Sequence, residues 1–162
     1  MINNITCITI NTDASFCPIH KVSGYSFYIV CDTFKIKKGG KFLKQQPQNP
    51  EEAEMMCIGN AIQTLLAQKE LPAVKLIVLN SDCKFGMRKI KTADGDLGKQ
   101  INGFWSELLR RTGARFNAMK YVRAHSGVED ARSKVNEWCD KEAKRWMRIS
   151  RNEITDGNEK AR

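Results

Sequence analysis

Residues 49–79, NPEEAEMMCIGNAIQTLLAQKELPAVKLIVL, decide the fold, because the spacing of apolar residues changes character midway through them. Asn49-Pro50-Glu51-Glu52 is a helix start: Asn as N-cap, Pro at the first helical position, and Glu at the third. The helix is expected to reach about Lys69, since Pro72 bars its continuation. Residues 74–79 (Val-Lys-Leu-Ile-Val-Leu) then form a short, nearly all-apolar run, the pattern of a central strand covered on both faces.

Working upstream, residues 5–11 are a β-branched run that ends at the polar Thr12-Asp13-Ala14-Ser15. Tyr25, Phe27, Ile29 and Cys31 alternate with Ser26, Tyr28 and Val30, a period-2 strand with aromatics on one face. A third strand is expected within 34–43, with Gly39-Gly40 as a turn or bulge inside it. Downstream come a short helical or irregular piece at 84–92, a polar break at 93–96, and a helix at 97–111 ending at Gly113, a left-handed C-cap. A last strand at 116–123, a loop around His125 and a long helix at 130–149 complete the order. Three strands in a row imply an antiparallel meander. Helices between the later strands imply parallel crossovers, so the class is α/β with a five-stranded mixed sheet flanked by helices. Residues 1–150 are expected to form one domain, and 151–162, polar and without periodicity, a flexible tail.

The bulk composition narrows the function. At 162 residues, 41% hydrophobic and 28% charged, the chain suits one soluble globular domain rather than a disordered one. No apolar run approaches the ~20 residues of a membrane span, and the start lacks the basic and apolar regions of a signal peptide. A cytoplasmic location is expected. The six cysteines form no C-x-x-C pair. Cys7, Cys31, Cys57 and Cys139 fall in apolar or periodic segments, so reduced core thiols are expected rather than disulfides or a thiolate metal site. The net charge of +9 favours a polyanion, nucleic acid ahead of membrane.

Two carboxylates lie where apolar side chains belong. At ~100° per residue, Glu54 falls in line with Ile58, Ala61 and Leu65, while Asn60, Gln63 and Thr64 take the far side. A carboxylate on such a stripe costs several kcal/mol unless it is paired or binds a metal, although a first-turn acid also gains from the helix dipole. In the last helix, Asn136 and Asp140 flank the stripe of Val135, Trp138, Cys139, Ala143 and Trp146. A plain ion pair from Asp140 to Lys144 or Arg145 is the competing account. Asp13 ends the first strand and Asp82 follows the buried one, as many turn acids do, but ligands in open sheets gather at such strand ends. Four acids converging there would repel one another unless a divalent cation neutralised them, and an all-oxygen set suits magnesium.

Thr12-Asp13-Ala14-Ser15, Ala53-Glu54-Met55-Met56, Ser81-Asp82-Cys83, Arg123-Ala124-His125-Ser126-Gly127 and the Asn136–Ala143 run Asn-Glu-Trp-Cys-Asp-Lys-Glu-Ala resemble, in order and in element, type 1 ribonuclease H over residues 5–149. The resemblance implies a ribonuclease H-like fold and hydrolysis of the RNA strand of RNA–DNA hybrids, leaving 3′-hydroxyl and 5′-phosphate ends. It implies two magnesium ions, with manganese as a substitute, held by Asp13, Glu54, Asp82 and Asp140. Asp13 would bridge both ions, Asp140 would serve the ion at the attacking water, and Glu54 and Asp82 the ion at the leaving oxygen. His125 would be an auxiliary residue for water handling or product release, with a plain loop hydrogen bond as its alternative, and Asn136 would orient Asp140 or the His125 loop. Contacts to 2′-hydroxyls are expected from Ala14, Ser15 and Glu54, with Asn49 standing in for the asparagine often found before the glutamate. Lys89 and Lys91, with Lys84, Arg88 and Lys99, would grip phosphates in a segment shorter than the family's full basic protrusion. A monomer is expected. A DNA-directed nuclease of the junction-resolvase or integrase type and a non-catalytic hybrid-binding module are the rival readings.

Overall fold

The computed structural model describes residues 6–123 and 131–160. Its elements run β1 (Cys7–Cys17), β2 (Val22–Val30), β3 (Lys35–Lys41), α1 (Pro50–Leu66), β4 (Leu76–Ser81), α2 (Lys84–Lys91), α3 (Gly95–Thr112), β5 (Phe116–Tyr121) and α4 (Ala131–Lys160). The strands form one five-stranded sheet in the order β3-β2-β1-β4-β5. β1–β2 and β2–β3 are antiparallel, and β1–β4 and β4–β5 parallel, which is the mixed α/β class expected from the sequence.

The two edges of β1 are used unequally, and this positions the site. Pairing with β4 stops at Asn11↔Asn80. Pairing with β2 continues to Cys17↔Val22. The expectation that Asp13 ends β1 is therefore corrected: Asp13 lies inside the strand, opposite Ser26, because β2 holds 12–17 extended after β4 has left.

The faces of β2 divide the molecule. Tyr25, Phe27 and Ile29 join the core with Cys57, Ile58, Ala61, Ile62 and Leu65 of α1 and Ile101, Trp105 and Leu108 of α3. The alternate residues turn to α4: a Cβ on Gly24 would lie 2.2 Å from the Ala143 carbonyl oxygen, and the Tyr28 and Trp138 ring centroids are 6.1 Å apart. Gly39-Gly40 forms no turn or bulge; both residues pair in register with β2. A Cβ on Gly39 would come within 2.6 Å of Glu142 Cγ and 2.8 Å of Trp146 Nε1, so what Gly39 supplies is room for α4.

The α1 cap forms as expected: Asn49 Oδ1 accepts from Glu52 N at 2.8 Å, and Glu52 Oε2 accepts from Gln48 N at 3.1 Å. Gly113 closes α3 in the left-handed region, at φ 66°. Helix α1 stops at Leu66, short of Lys69, and β4 starts later than residue 74 and ends at Ser81. The largest difference is α4, which continues past Ile149 to Lys160 through the stretch whose polar composition suggested a tail. Ser150 is buried, and Glu153 binds Lys41 of β3 at 2.6 Å. The polar sequence of the last turns is that of a helix in solvent, which carries no apolar stripe to read.

All six cysteines are free. Cys17, Cys31, Cys57 and Cys139 are buried; Cys7, expected in the core, is half-buried at the start of β1, and Cys17 takes its place. No helix among the described residues is long and apolar enough to cross a membrane.

Candidate active site

Three carboxylates meet beyond the carboxyl end of the parallel β1–β4 pair. Asp13 stands two residues past the last β1–β4 partner, Asp82 directly follows β4, and Glu54 comes from the second turn of α1, 8% exposed. One oxygen from each lies within 4.8 Å of the others. The departure of β4 leaves the Ala14 N–H without a strand partner on that side, and it donates to Glu54 Oε1 at 3.0 Å. Among the described residues Glu54 Oε2 is buried with no backbone or basic donor, and the Glu54 carboxyl lies within hydrogen-bonding reach of Asp13. A buried carboxylate oxygen left in this way is costly unless a cation completes it.

The charges act on one another. Burial, then the charges of Asp82 and Asp140, push Asp13 up to about 7. Burial holds Glu54 well above the usual carboxylate range, with Asp13 and Asp82 adding to it. Asp82 is raised by partial enclosure and by Asp140. Without a cation the cluster favours retained protons over full ionisation.

Asp140 stands apart from the trio. Its Oδ2 accepts from Lys144 Nζ at 2.8 Å, one turn on, so the plain ion pair weighed from the sequence is present. Its charge nevertheless reaches Asp13 and Asp82. Asn136 is half-buried on the same helix. His125 lies outside the described residues.

The expected substrate contacts fare unevenly. Ala14 N is held by Glu54, and Ser15 is half-buried in β1 opposite Gly24. Asn49 spends its side-chain oxygen on the α1 cap. Lys89 binds Glu51 at 2.8 Å, which offsets its charge, while Lys91 is exposed. Sequence reasoning missed the rings that accompany these cations. The exposed Phe85 lies under Arg88 and Lys89, 4.9 and 4.8 Å from its centroid, and Tyr121 lies under Lys84 at 4.3 Å. The signal was present, since Lys84-Phe85-Gly86-Met87-Arg88-Lys89 interleaves an aromatic with basic residues.

A divalent cation fits this donor set. The oxygens are hard and no thiol or imidazole competes among the trio. Their spread is close to the span across one six-coordinate magnesium, about twice its 2.0–2.1 Å bond. A cation would take the place of the proton that links Glu54 to Asp13 and gain the buried Glu54 Oε2 as a ligand atom.

Solved structures share the fold of this chain. Its fold is shared with RNase H1 from the halophilic archaeon Halobacterium salinarum NRC-1, at TM-score 0.59 and 14% identity over 88% of this chain and 98% of that one. An N-terminal RNase H domain from Mycobacterium tuberculosis, solved fused to maltose-binding protein, aligns at TM-score 0.62 and 11% identity over 92% and 99%. LC11-RNase H1 in complex with an RNA/DNA hybrid aligns at TM-score 0.61 and 12% identity over 88% and 98%. No curated protein sequence matches the chain significantly. The RNase H family model, however, matches residues 6–148, nearly the whole chain and every element that carries an acid of the site. The chain belongs to the RNase H family, and its fold is that of the type 1 enzymes.

Proposed function

We propose that the chain is an endoribonuclease that hydrolyses the RNA strand of RNA–DNA hybrids, leaving 3′-hydroxyl and 5′-phosphate ends. The observation that carries the proposal is the trio of Asp13, Glu54 and Asp82, drawn together and protonation-prone in a chain of this family. Magnesium or manganese bound there, two ions in the full site, would lower the pKa of water and offset the charge that builds on the phosphorus oxygens. Asp13 interacts with Asp82, Asp140 and Glu54 alike and so suits a bridging role. Glu54 keeps Oε1 on Ala14 N and presents Oε2, while Asp82 closes the set from β4. Asp140 joins when its oxygen turns from Lys144, an exposed pair that holds it weakly. His125 would handle a proton or assist product release.

Substrate choice rests on the surroundings. LC11-RNase H1, solved with an RNA/DNA hybrid, supports the same partner here. Lys84, Arg88, Lys89 and Lys91 supply charge for phosphates beside the Phe85 and Tyr121 rings. Recognition of 2′-hydroxyls, the groups that separate RNA from DNA, is assigned to the backbone around Ala14 and Ser15 and to Glu54, and it requires the Ala14 N–H to leave Glu54 when the hybrid binds. A panel of end-labelled RNA–DNA hybrid, double-stranded RNA, double-stranded DNA and a four-way DNA junction tests the proposal. Cleavage of only the RNA strand of the hybrid is expected. Cutting of the junction in preference to the hybrid would replace the proposal with a DNA-directed nuclease.

A further inference from the structure

Ser26 follows the polar phase of β2, yet it is fully buried, because α4 covers the face to which it points. Its Cα partner across the ladder is Asp13. Its carbonyl oxygen accepts from the Cys57 thiol at 3.2 Å, and the same thiol reaches the Asp13 carbonyl at 3.3 Å. Cys57 is three residues past Glu54, on the same side of α1. The Ser26 hydroxyl donates to the Cys139 carbonyl oxygen at 2.6 Å, one residue before Asp140. One small residue thus touches all three of the elements that carry Asp13, Glu54 and Asp140. Packing alone would be met by alanine, with no polar atom to satisfy in a dry contact. The neighbouring Gly24 admits the α4 backbone so closely that a side chain of any size would push it off.

We infer that Ser26 is a positioning residue for the carboxylate site, fixing how far α4 slides along β2 and therefore where Asp140 stands relative to Asp13. The Trp138 and Trp146 rings seat α4 on the sheet by shape, and at the Ser26 level a buried directional bond adds a stop that shape alone does not give. The bond to Cys139 is made next to the one acid that the trio does not gather, so its loss acts on Asp140 first. The inference rests on the metal-dependent function proposed above.

The test compares the parent chain with Ser26→Ala, alone and in an Asp140→Asn background. Manganese binding is followed by electron paramagnetic resonance, magnesium binding by calorimetry, and hybrid cleavage at saturating and limiting substrate. Ser26→Ala should weaken metal binding and lower kcat by about 10-fold each, the lower end of what losing a support behind a metal ligand costs, with KM for the hybrid unchanged. The effect on metal affinity should largely vanish in the Asp140→Asn background, because a residue acting through Asp140 has nothing left to position. Ser26→Cys, which restores a donor, should recover part of the loss. It also replaces the alanine variant should that one not fold, and must then bind metal more weakly than the parent. A variant that melts earlier but binds metal and turns over like the parent would overturn the inference, as would equal losses in both backgrounds. A parent chain that binds no divalent cation would overturn the proposed function and this inference together, whereas parent binding with unaffected variants overturns this inference alone.

Discussion

Helices α1 and α4 each place one acid at the edge of a buried stripe, and the two acids end in different states. Glu54 is 8% exposed, with one oxygen on a backbone N–H and the other reached by no basic group among the described residues. Asp140 is more open, its side chain 29% exposed and paired with Lys144. Helical spacing alone does not separate them. What does is the place each helix passes: α1 crosses β1 where β4 has stopped pairing and the Ala14 N–H is free to receive a carboxylate. Asp140 has a lysine one turn away on its own helix. A carboxylate on an apolar stripe becomes a candidate ligand when the neighbouring backbone holds it in and no cation of its own helix draws it out.

The harshest test of this comparison is to remove acids from the trio around Glu54. Asp13→Asn and Asp82→Asn should each lower hybrid cleavage by at least about 10³-fold, since a lost metal ligand removes several kcal/mol of transition-state stabilisation. Both should melt higher than the parent in metal-free buffer, because one repelling charge is gone. Normal turnover in either variant would detach the trio from catalysis. A smaller loss is expected from His125→Ala, roughly 10- to 10³-fold in turnover, with metal affinity nearly unchanged. A preserved single-turnover rate would assign His125 to product release, and equal losses to the chemical step.

Protonation sharpens the contrast further. Asp13 titrates at about 7 in the fold against an ordinary 3.8. The stability gained by keeping it protonated is full below the lower value and is lost as pH rises through the higher one. Metal-free protein should therefore lose melting temperature across this window relative to Asp13→Asn, whose profile should be flatter. That paired comparison is needed because Glu107 and Glu142, lowered by Arg110 and Arg145, shift stability with pH in the opposite sense. Parallel profiles for parent and variant would contradict the enclosure of Asp13. The smallest effect belongs to α4. Lys144→Met frees Asp140 and should tighten magnesium binding by up to a few-fold, the scale of an exposed ion pair. Weaker binding would mean that Lys144 holds Asp140 in place rather than away.

Much of this was legible in the residues. Asn49-Pro50 marked the start of α1, the apolar run before Asp82 marked the central β4, and Gly113 marked the end of α3. The offset of Glu54 from the polar side of its helix pointed to the site before any coordinates. Other features depend on pairing between distant segments, which no local pattern reports. Asp13 read as a strand end because its sequence turns polar, yet β2 keeps it extended. Gly39-Gly40 read as a turn, since sequence does not show that Trp146 needs the space. Ser26 read only as one of the residues alternating with the aromatic face of its strand, and the arrival of α4 buries it. Lys89 read as a free phosphate contact until Glu51, far away in sequence, came within 2.8 Å.

The central claim is that the acids gathered past β4 form a metal-dependent hybrid-cutting site. Single-turnover cleavage of a labelled RNA–DNA hybrid, with the metal-stripped chain titrated from zero to millimolar magnesium, tests it most directly. The account predicts no cleavage without metal, a rise in rate as magnesium is added, 5′-phosphate products, and loss of the signal in Asp13→Asn. Cleavage that persists in excess chelator, or that Asp13→Asn retains, would contradict it.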